Sequence, residues 1–397
     1  MEKNMEKIST VELFDGTIAT IKDTENYKAL RSKDYNFFFN KKDGFFVRFG
    51  HGEPVELDRK VSKQEMDLYV LWCNIWKEKF DIKQFIGDLE TEPPIDKTII
   101  EICDIEIAEI CEGTPKTGPC SYCYKGNTGF KGTNMSFETY KKIFSKLPIS
   151  CTQIAFGTGT LRRHPEMWDI MKYTRDNGVI PNLTINGDCS DEELKKISEI
   201  AGACAVSLHD KELGYNTIEK LSNLGMKQVN IHQVIYLENF DETMQILKDV
   251  LLDPRLKALK AIVLLNLKTK GRASKGFTKL PQEKYNELIK FALENNIGLG
   301  SDSCGAQKFL NAIQDRPDAK HLETYIETCE STLTSAYINV HGNFYACSFD
   351  ETDDNGLSVL NCDDFMKEIW FHKKTREFSE GVIKCKRCKI GCSIFDV

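Results

Sequence analysis

The chain has 397 residues and a formal net charge of −7, and 41% of its residues are hydrophobic. That is enough apolar content to fill one large α/β domain with smaller attachments, which excludes a disordered chain. No long basic run offsets the acidic balance, so bulk charge gives no support for general nucleic-acid binding. The opening residues Met1 to Lys7 carry no apolar signal core, and no run approaches the roughly 18 apolar residues that span a membrane, which predicts a cytoplasmic protein with no membrane partner.

In chain order, residues 1–95 read as a small α+β region. Tyr35–Asn40 and Phe45–Phe49 flank Lys41-Lys42-Asp43-Gly44, an Asp-Gly turn between aromatic runs that predicts a β-hairpin. Ser62 followed by Glu65 is a capping box, and Leu68, Tyr69, Trp72, Ile75 and Trp76 recur at helical spacing, so this helix is expected to dock on the main domain through one face. Residues 96–314 then alternate apolar strands, at 99–109, 151–157, 180–186, 203–208, 227–235, 259–267 and 297–302, with helices beginning near Ser136, Pro165, Ser190, Asn216, Asp241 and Pro281. Strand–helix alternation at this spacing predicts a parallel sheet. Residues 315–397 hold Cys329, Cys347, Cys362, Cys385, Cys388 and Cys392 with few long apolar periods, as expected of a metal-stapled extension.

Fifteen cysteines in a long chain read as cytosolic argue for metal ligation or catalysis over a disulfide scaffold. Cys73, Cys103, Cys151 and Cys204 lie inside apolar periodic segments and read as core residues. Cys111, Cys120 and Cys123 instead follow directly on the first strand of the alternating region, with Tyr122 just before the third thiol. Three thiolates on a four-iron cluster leave one iron open for a small molecule. A structural zinc site, which needs a fourth ligand, is the alternative.

This loop resembles the radical S-adenosylmethionine (SAM) superfamily, whose signature is Cys-x3-Cys-x2-Cys with an aromatic residue before the last Cys. Here the first gap is eight residues, an insertion relative to that pattern. Cys329-x12-Gly342-x4-Cys347 with the later Cys385-x2-Cys388-x3-Cys392 resembles the SPASM and shorter twitch extensions of the same enzymes. The resemblance implies a partial (β/α)6 TIM-type barrel, a SAM-binding [4Fe-4S] cluster on Cys111, Cys120 and Cys123, and one auxiliary [4Fe-4S] cluster on four of Cys329, Cys347, Cys385, Cys388 and Cys392, with zinc as the alternative at the second site. It implies that Gly157-Thr158-Gly159, after the second strand, holds the methionyl group of SAM, with Tyr122, Asn186 and Ser207 also at the cofactor. By their residue types alone, Gly157 and the Asn186-Gly187 pair could equally be turns.

Parallel α/β barrels carry their working residues after each strand's C-terminal end. Asn230 and His232 alternate with apolar neighbours in the fifth strand and should face inward, as a functional pair or as hydrogen-bonded core residues. Lys268, Lys270 and Arg272 bring positive charge to the mouth, either to hold an anionic substrate group or as a solvated loop. Asp302 is a candidate base or substrate anchor, and Cys304 a candidate hydrogen donor or cluster ligand. The implied reaction is reductive cleavage of SAM and abstraction of a substrate hydrogen, fed by a flavodoxin- or ferredoxin-type electron donor. The expected substrate is a peptide or protein. The alternatives are a small metabolite, a hypermodified nucleobase, or a non-catalytic zinc- or cluster-stabilised binding protein.

Overall fold

Two sheets organise the chain, and the computed structural model describes residues 6–13, 16–33, 35–50, 59–90, 99–323, 326, 329–352 and 356–385. The chain divides into two compact units, Met1–Glu101 and Ile102–Val397. The first holds an antiparallel meander of β1 (Lys7–Glu12), β2 (Ile18–Asp23), β3 (Tyr27–Arg31), β4 (Asn36–Asn40) and β5 (Phe46–Phe49). The expected hairpin is β4–β5, with Phe38 opposite Val47 and Gly44 at φ +73° in the turn. The expected helix is Lys63–Trp76, with Ser62 and Glu65 closing a reciprocal capping box. Its aromatic stripe packs inside its own unit. Trp72 meets Phe49 at 4.9 Å and Tyr69 meets Phe85 at 5.5 Å, because β4, β5 and helix Ile82–Glu90 supply an apolar face next to it in the chain.

The second unit is built on seven parallel strands: β6 (Ile102–Glu106), β7 (Gln153–Gly157), β8 (Ile180–Ile185), β9 (Ala203–Ser207), β10 (Val229–Ile235), β11 (Ala261–Asn266) and β12 (Leu299–Ser301). Each pair of neighbours is joined through a helix, in chain order 137–144, 167–176, 191–200, 211–223, 240–252 and 282–294. Ser190 and Glu193 form the predicted capping box. The fourth helix begins at Lys211, earlier than the expected Asn216, because the Asp210 carboxylate caps the Leu213 N–H.

Beyond β6 the sheet continues through β13 (Ser335–Ile338), which runs parallel to β6, and the antiparallel strands β14 (Asn343–Tyr345) and β15 (Leu357–Ser358). Residues of the C-terminal region thus extend the parallel sheet itself.

Register separates two faces. Cys103, Ile105, Ile154, Cys204, Val206, Ile231, Ile262 and Leu264 are fully buried toward the helices, each such apolar side chain contributing about 1.5–3 kcal/mol. The opposite face carries Asp104, Ala155, Asn182, Thr184, Ser207, Asn230, His232 and Val263, all half-buried. Small side chains leave that face hollow: Ala155 pairs with Asp104, Ala205 with Thr184, and Gly300 with Val263. A packed barrel would fill it with branched residues.

Candidate active site at the strand tips

The cysteine loop is built off the C-terminal tip of β6 and tied to the segment after β7. Ile107 N–H donates to Gly157 O at 2.9 Å, Thr160 N–H to Ile110 O at 2.9 Å, and Glu112 N–H to Thr160 Oγ1 at 2.8 Å. Gly159 permits the approach, since a Cβ there would stand 1.9 Å from Ile110 O.

The eight-residue gap between Cys111 and Cys120 closes on itself. Thr114 N–H donates to Gly118 O at 3.3 Å and Gly118 N–H to Thr114 O at 2.8 Å, so residues 114–118 form a pinched-off turn. Only Glu112, Gly113 and Pro119 remain as the working spacer, the three-residue gap of the signature that the loop resembles. Gly113 makes the pinch possible: it sits at φ +72°, and a Cβ there would lie 1.8 Å from Gly118 O and 2.4 Å from Pro119 N. Asn186 Nδ2 donates to Gly113 O at 2.7 Å and braces the same point.

The three thiols are free and partly buried. Burial, followed by the neighbouring Cys123 and Cys111, pushes the Cys120 thiol up to about 12. Burial likewise raises Cys111, with Cys123 adding to it. The thiols therefore lie within electrostatic reach of one another. Three thiols grouped in one loop are a donor set that suits a four-iron cluster, which takes one thiolate on each of three corners.

Tyr122 packs in an aromatic cage with Tyr236 at 5.7 Å and Phe277 at 6.2 Å. Its hydroxyl meets His209 Nδ1 at 2.8 Å, and His209 Nε2 meets Cys120 Sγ at 3.2 Å. Burial lowers the His209 pKa, which favours the neutral ring. With Tyr122 O–H donating to Nδ1, the ring's one N–H donates from Nε2 to the sulfur.

The basic stretch after β11 is committed internally, which corrects the expectation of cations free for a substrate anion. Arg272 donates from Nε to Cys120 O at 2.8 Å and from Nη1 to Asn127 O at 2.9 Å, while its N–H reaches Cys123 O at 3.0 Å. Lys270 donates to Phe349 O. Lys268 pairs with Asp302 at 2.8 Å. Sequence periodicity could not reveal that Arg272 clamps the cysteine loop, because the two are far apart in the chain.

The remaining candidates divide. Thr158 Oγ1 donates to Thr184 O at 3.1 Å, and Gly157 backs onto Glu106, where a Cβ would stand 3.0 Å from its Cα. Asn186 makes an Asx turn, accepting from Asp188 N–H at 3.0 Å. The Ser207 side chain lies half-buried on the hollow face, beside His232 in register. Burial lowers His232 to about 4, and its Nδ1 lies 3.2 Å from Thr184 Oγ1. The Asp302 carboxylate accepts from Asn266 Nδ2 at 2.9 Å as well as from Lys268.

Burial pushes the Cys304 thiol up to about 11 despite Lys268 beside it, and Cys304 also senses Cys329. Cys347 accepts from Phe349 N–H at 3.5 Å. Cys362 is core, its Sγ donating to Val359 O at 3.2 Å. Cys385 ends helix Lys373–Cys385, and Cys388 and Cys392 lie outside the described residues.

One network escaped the sequence reading. Lys125 Nζ donates to Glu106 Oε2 at 3.0 Å, to Tyr337 Oη at 2.8 Å and to Glu351, joining the cysteine loop to β6, β13 and the segment after Cys347. Among the described residues, no helix is long and apolar enough to cross a membrane.

No protein-family model matches the sequence, and no curated protein matches it. Solved structures do. The chain is similar to SuiB of Streptococcus suis bound to the precursor peptide SuiA, with TM-score 0.56 and 10% identity over 91% of this chain and 93% of that one. It is also similar to SuiB bound to S-adenosylmethionine, with TM-score 0.54 and 9% identity over 86% of each chain. At this identity the likeness is one of fold, and this protein has the fold of SuiB.

Proposed function

We propose that the protein is a radical SAM enzyme carrying a [4Fe-4S] cluster on Cys111, Cys120 and Cys123. The pinched turn at 114–118 is the observation that carries this reading, since it restores the three-residue spacing at the tip of the first parallel strand. The shared fold with SuiB, which was solved with S-adenosylmethionine, supports it. When bound, the cluster and SAM supply the chemistry, an electron that breaks a carbon–sulfur bond of SAM to give a 5′-deoxyadenosyl radical that takes a substrate hydrogen.

The chain's own residues position and exclude. His209 holds Cys120, Arg272 and Gly113 fix the loop backbone, and the cage of Tyr122, Tyr236 and Phe277 keeps water from one side. Gly157, Thr158, Gly159, Asn186 and Ser207 border the hollow where SAM would lie. Asp302 and Cys304 face the same mouth as a substrate anchor and a hydrogen donor or second-cluster ligand. Four of Cys329, Cys347, Cys385, Cys388 and Cys392 are the proposed ligands of an auxiliary cluster. The substrate is a peptide, as supported by SuiB's complex with a precursor peptide, and the protein works in the cytoplasm with an external electron donor.

Anaerobically reconstituted protein should hold about eight irons and release 5′-deoxyadenosine from SAM under reduction. Replacing Cys111, Cys120 and Cys123 together by Ala should remove about four irons and abolish cleavage. Stoichiometric zinc without iron-dependent visible absorption would overturn the reading.

A further inference from the structure

The hollow face of the sheet carries one charged side chain that the rest of the protein leaves unanswered. Asp104 stands in the middle of β6, between the helix-facing Cys103 and Ile105, both 0% exposed, and so points to the opposite, open side. Its register neighbours are Ala155 on β7, too short to cover it, and Tyr337 on β13. Among the described residues the Asp104 carboxylate makes no hydrogen bond and no ion pair, although it is only half-exposed at most. A half-buried carboxylate with no cation beside it is a place where a positive group can dock.

The Lys125 ammonium does not complete it. Lys125 has three N–H donors, and all three are spent, on Glu106, Tyr337 and Glu351. The buried Tyr124 hydroxyl senses Glu106, Asp104 and Glu351 together, so the three carboxylates share its neighbourhood. Of the three, Asp104 is the carboxylate that no ammonium contacts among the described residues, and a positive ligand would complete it. Burial alone pushes the Asp104 carboxyl up to about 6, so it is mostly ionised at neutral pH and would bind a cation with both charge and hydrogen bonds.

We propose that Asp104 is the recognition point for a cationic group, an ammonium or a guanidinium, on the molecule that enters the hollow. On a peptide this is a Lys or Arg side chain or a free amino terminus. Calling that molecule the substrate rests on the enzymatic reading above; the cation site itself does not.

The test uses the full chain without iron or SAM. Agmatine and n-butylammonium are titrated calorimetrically into wild type, Asp104→Asn and Asp104→Glu, with n-butanol as the uncharged control. The wild type should bind both cations and not the alcohol, Asp104→Asn should weaken cation binding at least tenfold, and Asp104→Glu should retain part of it. Because Asp104→Asn removes a partnerless charge, its Tm at pH 7.5 should also rise by about 2–4 °C, whereas a carboxylate with a structural partner would lower the Tm on removal. Absence of cation binding in the wild type, equal affinity in Asp104→Asn, or a fall in its Tm would each overturn the proposal. Failure of the loaded enzyme to cleave SAM would instead overturn the enzymatic reading and leave the cation site standing.

Discussion

Gly113→Ala tests the link between loop geometry and chemistry most directly. The new methyl would stand 1.8 Å from Gly118 O and 2.4 Å from Pro119 N, both backbone atoms that no side-chain rotation can move away. Ordinary contact lies near 3.4 Å, so the two arms of the turn must part by more than an ångström. Alanine at φ +72° adds about 1–2 kcal/mol of backbone cost, and overpacking adds about 1–3 kcal/mol. The Thr114–Gly118 pair and the Asn186 bond to Gly113 O are the contacts placed to yield. The strain stays local to one loop, so the variant should fold, with a far-ultraviolet circular dichroism spectrum like the wild type's. Its Cys111–Cys120 spacing would open, and iron after anaerobic reconstitution should fall by about four per chain. Deleting residues 114–118 and joining Gly113 directly to Pro119 should keep the iron, because it makes the three-residue spacing covalent. Full iron in Gly113→Ala, or loss of iron in the deletion, would refute the idea that the pinched turn sets the ligand geometry.

His209→Leu removes the N–H aimed at Cys120 Sγ and leaves the Tyr122 hydroxyl without its acceptor; an EPR-monitored titration should show the cluster potential lowered, as loss of a hydrogen bond to a ligand sulfur predicts. Lys125→Met strands Glu106 and Glu351 beside Tyr337, so chemical denaturation should report a loss of about 3–5 kcal/mol that shrinks as acid protonates the two carboxylates. His232 has a folded pKa of about 4 against an ordinary 6.5, so the unfolded chain takes up its proton first. Stability is therefore complete above pH 6.5 and declines by roughly 3 kcal/mol as the pH falls to about 4. The difference between wild type and His232→Gln, in which the opposing acid gain from Asp104 cancels, should show this slope and vanish above pH 7.

Much of the architecture was legible because local rules and tertiary outcome agree. Capping boxes at Ser62 and Ser190, the Asp43-Gly44 turn and the apolar strand runs each act over a few residues, and the structure places them where spacing predicts. The cysteine loop was legible as a grouping of thiols for the same reason, its cysteines and aromatic residue being near neighbours in the chain. Its odd spacing was not, since that depends on a backbone pairing between Thr114 and Gly118 that composition does not announce.

What the tertiary structure alone decided are matters of partnership across long chain distances. Arg272 looked like a free cation until the fold brought it to the Cys120 carbonyl, 152 residues away. The aromatic stripe of helix Lys63–Trp76 showed that one face is buried but not against what. In the sequence Asp104 is one polar residue in an alternating strand, and its isolation comes from neighbours that arrive with a short side chain, as Ala155 does, or with donors already spent, as Lys125 does. Sequence specifies which groups seek burial or a partner, because propensity and periodicity are local; which partner each one obtains, and which carboxylate obtains none, is settled only when the parallel strands fall into register.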